Sequence, residues 1–111
     1  MTHPDPESFA ELESRAEEVA ALLKHLANAR RLLILCRLAA GPATVTELCT
    51  IAGLSQSALS QHLARMRAES LVQGKKDGLQ IYYSITNPRC LEILTHLRSS
   101  YCDPMPHGEV S

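Results

Sequence analysis

The stretch LSQSALSQHLARMR, residues 54–67, decides the fold of this chain. At about 100° per residue, Leu59, Leu63 and Met66 fall on one stripe, which is the spacing of a helix side that faces a core. Ser55 stands where a helix N-cap is expected, because its hydroxyl can accept from an unpaired backbone N–H of the first turn. The opposite side carries short hydrogen-bonding side chains and an arginine, namely Ser57, Ser60, Gln61 and Arg65. Such side chains match the donors and acceptors of a DNA major groove, so the stretch is predicted to be a DNA-reading helix.

Three further helices are predicted upstream, over residues 8–26, 29–39 and 45–52. Asn28 is the expected N-cap of the second helix, which stops before Gly41-Pro42. The third helix opens with the capping-box pattern of Thr44 and Glu47. Since Gly53 then allows a tight turn into the next helix, the two helices are typical of a helix-turn-helix.

Downstream of the reading helix, the pattern changes to one typical of a β-hairpin. Asp77-Gly78 is a strong two-residue turn signal, and residues 80–85 alternate as in a half-buried strand. The hairpin over residues 73–85 therefore forms a wing, and a last helix starts at Asn87-Pro88 and runs to residue 101. The predicted fold class is mainly α (α+β), a winged helix-turn-helix with a two-stranded wing.

Length and composition predict one small domain. With 111 residues, 45% of them hydrophobic, the chain is expected to have a folded part over residues 8–102. A disordered leader is expected over residues 1–7, and a flexible tail over residues 103–111. No signal peptide and no apolar stretch long enough for a bilayer is visible, so the chain is predicted to be cytoplasmic, with no membrane contact.

Charge is distributed unevenly along the chain. The net charge of −1 argues against a uniformly basic DNA-coating protein, but it does not exclude a specific DNA binder. Acidic residues crowd the first predicted helix, whereas basic residues prevail between residues 54 and 82, at Arg65, Arg67, Lys75 and Lys76. Any DNA-binding face is therefore expected in the second half of the chain.

Four segments together resemble the ArsR family of dimeric bacterial repressors, namely residues 26–32, 45–49, 54–67 and 80–85. The resemblance covers about residues 16–102, nearly the whole predicted domain. It implies a homodimer that forms through the first and last helices and binds a palindromic operator in double-stranded DNA. In such a dimer two reading helices face successive major grooves, about one DNA turn apart.

The same resemblance implies which residues contact DNA. The residues assigned to DNA binding are Ser55, Gln56, Ser57, Ser60, Gln61, His62, Arg65, Lys75 and Lys76. The wing that carries the two lysines is implied to reach the minor groove next to the reading helix. His62 lies at the edge of the buried stripe by helical angle, so a DNA contact and a boundary histidine of the core stay open as alternatives.

The four cysteines, Cys36, Cys49, Cys90 and Cys102, form no CxxC pair, and a structural disulfide framework is not expected. Cys36 in the second helix and Cys102 at the end of the last resemble the cysteine pair of the family branch that includes HlyU, BigR and SqrR. In that branch the two thiols are the sensing site and are cross-linked by reactive sulfur species or oxidants. The resemblance implies the same role for Cys36 and Cys102, whose bridging requires Cα atoms within about 7 Å. Arg98, on the same helix face as Cys102, can favour its thiolate.

The sequence leaves two alternatives. One is a metal-responsive repressor: Cys49 stands where metal-sensing relatives place thiolates, and His96 and His107 have a ten-residue spacing used for zinc. However, Cys49 has no second cysteine nearby, and Leu94 and Val110 stand where acidic ligands are needed, so no metal site and no cofactor is predicted. The other alternative is a dimeric interaction module without DNA binding. No catalytic constellation is present in the sequence, so an enzyme is not expected.

Overall fold

The computed structural model describes residues 6–101. In that range the elements are, in order, α1 (Pro6–Ser14), α2 (Ala16–Leu26), α3 (Ala29–Ala39), β1 (Ala43–Thr44), α4 (Val45–Ala52), α5 (Gln56–Ala68), β2 (Val72–Asp77), β3 (Gln80–Ile85) and α6 (Pro88–Tyr101). The order confirms the predicted fold class, mainly helical with a small antiparallel sheet. Helix α1 begins at Pro6, earlier than the predicted start at residue 8. Residues 1–5 of the predicted leader, Cys102 and the predicted tail lie outside the described residues.

The single helix predicted over residues 8–26 was wrong, because the chain forms two helices there. The Ser14 hydroxyl donates to the Glu11 carbonyl oxygen at 2.9 Å, and the Arg15 N–H donates to the Leu12 carbonyl oxygen at 3.1 Å. The Arg15 bond spans three residues instead of four, so the backbone tightens at Arg15, with φ −110 and ψ 9, before α2 begins. Residues 8–26 contain no Gly or Pro, so no helix-stop residue predicts this break.

Both helices of the predicted helix-turn-helix begin at the predicted cap residues. The Glu47 N–H donates to the Thr44 hydroxyl at 3.3 Å, and the Thr44 N–H donates to Glu47 Oε1 at 2.9 Å, which closes the capping box. The Ala58 N–H donates to the Ser55 hydroxyl at 3.1 Å at the start of α5. Gly53, with φ +66, ends α4 in the left-handed conformation that favours glycine. The turn between α4 and α5 is thereby confined to residues 53–55.

The flanking helices α3 and α6 begin at asparagine caps. Asn28 Oδ1 accepts from the Arg31 N–H at 3.0 Å, and Asn87 Oδ1 accepts from the Cys90 N–H at 3.0 Å. Pro88 occupies the first position of α6, where the backbone N–H would have no partner inside the helix. Both predicted helix starts are confirmed.

The wing belongs to a three-stranded antiparallel sheet of order β1-β3-β2, where the sequence predicted two strands. Ala43 pairs with Tyr83, and Thr44 pairs with Tyr82. Strand β1 has two residues, which is too short for an alternating pattern. Thr44 also caps α4, and its backbone there is extended. The sequence pattern therefore predicted the helix cap but not the strand pairing of Thr44.

The hairpin turn lies one residue later than predicted. Asp77 pairs with Gln80, so the turn consists of Gly78 and Leu79 and not of Asp77-Gly78. Gly78 has φ +67, a conformation that a two-residue hairpin turn requires and glycine adopts without strain. The glycine was thus correctly identified as the turn former, while Asp77 remains the last residue of β2.

An aliphatic core lies between the helices and the sheet. The predicted stripe of α5 is confirmed, since Leu59, Leu63 and Met66 are 0–2% exposed. Other core residues are Ile34, Leu35, Leu38, Leu48, Leu71, Tyr83, Cys90 and Leu94. Among the described helices, none combines the length and the apolar character needed to cross a membrane.

Candidate nucleic-acid interface and thiol site

The face of α5 that was predicted to contact DNA is open to solvent. The exposed residues are Ser55, Gln56, Ser57, Ser60, Gln61 and Arg65. The first turn of α5 carries no acidic residue, and the last turn carries Arg65 and Arg67. Because the opposite side of α5 is buried in the core, the helix is fixed by one side and presents donors, acceptors and positive charge on the other.

His62 lies at the edge of that face and is half-buried. Its ring nitrogen Nδ1 is enclosed, and no described residue gives it a hydrogen bond. The enclosed side agrees with a boundary histidine of the core. Contact between DNA and the rest of the ring stays a prediction.

Arg30 fixes the turn that leads into α5, although it was not among the predicted site residues. Its Nη1 donates to the carbonyl oxygen of Ala52, the last residue of α4, at 2.7 Å. A Cβ at Gly53 would lie 3.3 Å from the same nitrogen. The sequence signal for this role is weak, since it consists only of two arginines at the start of a largely aliphatic helix.

A second unpredicted arginine, Arg31, connects three helices and is 9% exposed. Its Nη1 donates to Glu69 Oε1 at 2.7 Å and to the His25 carbonyl oxygen at 3.1 Å. His25 belongs to the last turn of α2, Arg31 to the first turn of α3, and Glu69 is the C-cap of α5. We call His25, Arg31 and Glu69 the three-helix junction.

The wing carries positive charge along β2 and an apolar residue at its tip. Lys75 and Lys76 are exposed and pair across the hairpin with Tyr82 and Ile81. Successive strand residues point to opposite faces, so the two ammonium groups flank the hairpin. Leu79 in the turn is fully exposed. Strand β2 contacts α5, and both elements carry exposed cationic side chains of the kind that a phosphate backbone attracts.

The structure describes one of the two predicted regulatory thiols. Cys36 on α3 is half-buried, whereas Cys102 lies outside the described residues, so their pairing stays a prediction. Cys90 is fully buried in the first turn of α6. Its burial, with a smaller contribution from the nearby Cys36 thiol, raises the pKa of Cys90 from 9.0 to about 11. Cys90 therefore remains a protonated, weakly nucleophilic thiol at neutral pH.

Residues 6–101 contain no group of three or more His, Cys, Asp or Glu side chains placed to hold a metal ion. Cys49 is half-buried on α4, and His96 is exposed on α6. His107, which has the ten-residue spacing from His96, lies outside the described residues.

Known proteins share both the sequence and the fold. Residues 28–73 match the family model described as bacterial regulatory protein, arsR family. The HTH-type transcriptional regulator YgaV of Escherichia coli (strain K12) is 49% identical over 95 residues, which cover 85% of this chain and 96% of YgaV. Reduced HlyU from Vibrio cholerae N16961 has a TM-score of 0.75 and 39% identity, covering 84% of this chain and 98% of HlyU. The transcriptional repressor BigR from Xylella fastidiosa has a TM-score of 0.74 and 34% identity, covering 85% of this chain and 96% of BigR.

These similarities span the helix-turn-helix, the wing and the flanking helices together. The matching proteins are transcriptional regulators, which are not enzymes. The similarity to these regulators argues against the alternative of a dimeric interaction module without DNA binding. The chain belongs to the ArsR family and is a DNA-binding transcriptional regulator with a winged helix-turn-helix fold.

Proposed function

We propose that this regulator is a homodimer that binds a palindromic operator and releases it when Cys36 and Cys102 are modified or cross-linked by reactive sulfur species or oxidants. One observation carries the proposal. Cys36 lies on α3, and the first turn of the same helix contacts the end of α4 through Arg30 and the end of α5 through Arg31. A displacement of α3 at Cys36 is therefore passed to the helix that contacts DNA.

In the proposed complex, α5 lies in a major groove and the wing reaches the adjacent minor groove. Gln56, Ser57, Ser60 and Gln61 contact base edges and nearby phosphates, because their exposed side chains offer both donors and acceptors. The other proposed contacts come from Ser55, His62, Arg65, Lys75 and Lys76. Cationic side chains at the end of α5 and on the wing support binding through phosphates, which fix the register on the duplex.

The apolar surface of the outer helices supports a dimer. Of the residues of α2, which is described in full, only Leu26 is buried. An open cleft of about 330 Å³ separates α2 from the start of α6, with Val19, Leu22 and Ile93 among its lining residues. Large apolar side chains are exposed on the same outer helices, namely Phe9, Leu12, Leu23, Leu91 and Tyr101. A second copy of the chain would cover this surface, and its two-fold symmetry would match a palindromic operator.

The proposed chemistry uses the two thiols in sequence. We place the regulator in the cytoplasm, where thiols are kept reduced until a reactive species appears. One thiolate attacks a sulfur of a polysulfide, so that a cysteine–sulfur bond forms, the polysulfide S–S bond breaks and the shorter polysulfide leaves with the electron pair. When two sulfur atoms are transferred, the second thiolate attacks the inner one and displaces the outer one as hydrosulfide. One extra sulfur then remains between Cys36 and Cys102.

Oxidation by peroxide gives a different bridge. The two thiols lose two protons and two electrons, peroxide is reduced to two waters, and a plain disulfide forms. Either bridge ties α3 to the end of α6. To empty an occupied operator, the modified state must bind DNA about 10⁴-fold more weakly, a difference of about 5.5 kcal/mol.

The test compares DNA binding by the wild type and by the Cys36→Ser/Cys102→Ser variant before and after polysulfide treatment. We expect the reduced forms of both proteins to bind operator equally well. Polysulfide should release the wild type and leave the variant bound, because serine cannot form the sulfur bridge. Affinity is measured by fluorescence anisotropy at fixed salt.

A Cys49→Ser variant is the matched control, since it removes a half-buried thiol from α4 and should respond as the wild type does. Release of the Cys36→Ser/Cys102→Ser variant by polysulfide would contradict the proposal. Equilibrium dialysis of the same proteins with zinc, cadmium and arsenite tests the metal alternative. A stoichiometric metal site that changes DNA affinity would replace the thiol proposal.

A further inference from the structure

We propose that the ion pair between Arg31 and Glu69 sets the angle of α5 against α2 and thereby fixes the separation of the two α5 helices in the dimer. In this inference Arg31 and Glu69 are positioning residues, since neither needs to touch DNA. The inference rests on the proposed function, because a separation between two α5 helices exists only in a dimer on a two-half operator.

The three-helix junction combines two short hydrogen bonds of Arg31 with partial burial. The Arg31 side chain is 11% exposed, and the Glu69 side chain is 29% exposed. One guanidinium nitrogen, Nη1, donates both to Glu69 Oε1 and to the His25 carbonyl oxygen. The His25 ring lies close as well, with Nδ1 at 3.8 Å from Glu69 Oε1. A carboxylate that bonds to a guanidinium with little water around it has few other orientations available.

The junction connects the proposed DNA-contact and dimer surfaces of the protomer. Glu69 ends α5, and its backbone N–H donates back to the carbonyl oxygens of Arg65 and Arg67. His25 belongs to the last turn of α2, the helix that carries exposed apolar residues of the proposed dimer surface. Arg31 is therefore a direct side-chain connection between the proposed dimer helix and the end of α5.

Other contacts at the end of α5 lead elsewhere. The Leu71 N–H donates to the Met66 carbonyl oxygen at 2.9 Å, and the Thr86 hydroxyl donates to the Ser70 carbonyl oxygen at 3.1 Å. The first bond closes the C-terminal end of α5, and the second joins the loop that follows α5 to the segment between β3 and α6. Neither bond reaches α2. The Arg31 side chain bonds both to α2 and to the end of α5, and it adds a directional contact to the core packing that holds the buried side of α5.

Small changes of this angle have large effects at the DNA. Helix α5 has 13 residues and is about 20 Å long. A tilt of about 10° at its C-terminal end moves its N-terminal end by about 3 Å. This displacement is close to the rise of one base pair, about 3.4 Å. A dimer with a loosened junction should therefore discriminate poorly between operators that differ by one base pair in half-site spacing.

The experiment measures this discrimination directly. The probe is the inverted-repeat duplex that the wild type enriches from a random-sequence library, together with a version that has one base pair inserted between the half-sites. We expect the Glu69→Ala variant to lose about tenfold in affinity for the first duplex and little for the second, so that its spacing preference falls. Affinity for non-specific DNA should stay within about twofold of the wild type, because no proposed phosphate contact is removed.

Two further variants separate positioning from stability and charge. Glu69→Gln keeps an oxygen that can accept from Arg31, so we expect it to recover most of the spacing preference. It also replaces Glu69→Ala in the test if Glu69→Ala does not fold. Glu13→Gln removes one exposed negative charge from α1 and should leave the preference unchanged. The melting temperature of each variant is measured alongside. A Glu69→Ala variant that melts lower yet keeps the wild-type spacing preference would show that the junction only stabilises the fold.

The failure of this inference can be distinguished from failure of the proposed function. A wild type that enriches no inverted repeat, or that binds both spacings equally, contradicts the dimer on a palindromic operator and the inference with it. A wild type that prefers one spacing while Glu69→Ala keeps that preference contradicts the inference alone.

Discussion

Arg30 and Arg31 are neighbours in the sequence, yet they contact different ends of the helix-turn-helix. Arg30 bonds to Ala52, 22 residues away, and Arg31 bonds to Glu69, 38 residues away. Contacts over such distances leave no local pattern, so the sequence could not predict them. The N-caps could be predicted, because each joins residues three positions apart and depends on one short polar side chain. Local chemistry was therefore readable from the sequence, whereas the side chains that position α5 were not.

At the residue scale, the burial of Cys90 predicts a pH effect on stability. The unfolded chain loses the Cys90 proton near pH 9, whereas the folded chain keeps it until about pH 11. In this window the unfolded state binds fewer protons, so the free energy of unfolding falls as pH rises, and below pH 9 this contribution is constant. In Cys90→Ala we expect lower stability at neutral pH, by about 1 kcal/mol from lost packing, but a shallower fall above pH 9.

Urea unfolding of both proteins across this pH range measures the effect. Groups that titrate alike in the two proteins cancel in the comparison. Cys49→Ala serves as the control for removal of a thiol. Its free energy of unfolding should fall with pH as steeply as that of the wild type. Parallel curves for the wild type and Cys90→Ala would refute the assigned cause.

At the scale of elements, periodicity identified the helices and the wing but failed where tertiary context decides. The break at Arg15 depends on two bonds that span three residues each, and no stop residue announces it. Strand β1 forms because its backbone pairs with β3. Two residues are too few to show the alternating hydrophobic pattern by which a strand is predicted. The hairpin turn shifted by one residue because Asp77 pairs with Gln80 across the end of the strands. The exposed face of α5 followed from spacing alone, since the buried stripe fixes which side remains open.

The exposed side chains of α5 are predicted to specify the DNA sequence. In the Gln56→Ala/Ser60→Ala variant we expect operator affinity to fall about 30-fold or more, because two groove contacts of about 1–3 kcal/mol each sum to at least about 2 kcal/mol. Stability should be unchanged, since both side chains are exposed. Anisotropy titrations with operator and with scrambled DNA measure the change.

The matched comparison is Lys76→Ala on the wing. This variant should weaken binding to both DNAs equally and reduce the slope of affinity against salt by about 1, because it removes a phosphate contact. Equal losses on operator and scrambled DNA for Gln56→Ala/Ser60→Ala would contradict sequence reading by α5.

At the scale of the whole molecule, the exposed apolar side chains of α1, α2 and α6 support the proposed dimer, in which a second copy of the chain would cover them. Leu23 is 49% exposed and Tyr101 is 83% exposed, although both are large and apolar. Leu94 and Tyr101 are seven residues apart on one side of α6, yet Leu94 is buried and Tyr101 is exposed, as expected for a residue near a proposed dimer contact. The proposed regulation would act on the same dimer surface, because a bridge from Cys36 to Cys102 would join α3 to the last proposed dimer helix.

The most direct measurement of the central claim is intact mass with peptide mapping of the reduced protein, before and after inorganic polysulfide and, separately, after peroxide. We predict a Cys36–Cys102 cross-linked peptide that carries extra sulfur after polysulfide and a plain disulfide after peroxide. The peptides that contain Cys49 and Cys90 should keep unmodified thiols, and Cys90 is the internal control because it is fully buried. Cys36 and Cys102 that remain unlinked thiols after both treatments would contradict thiol control of DNA binding.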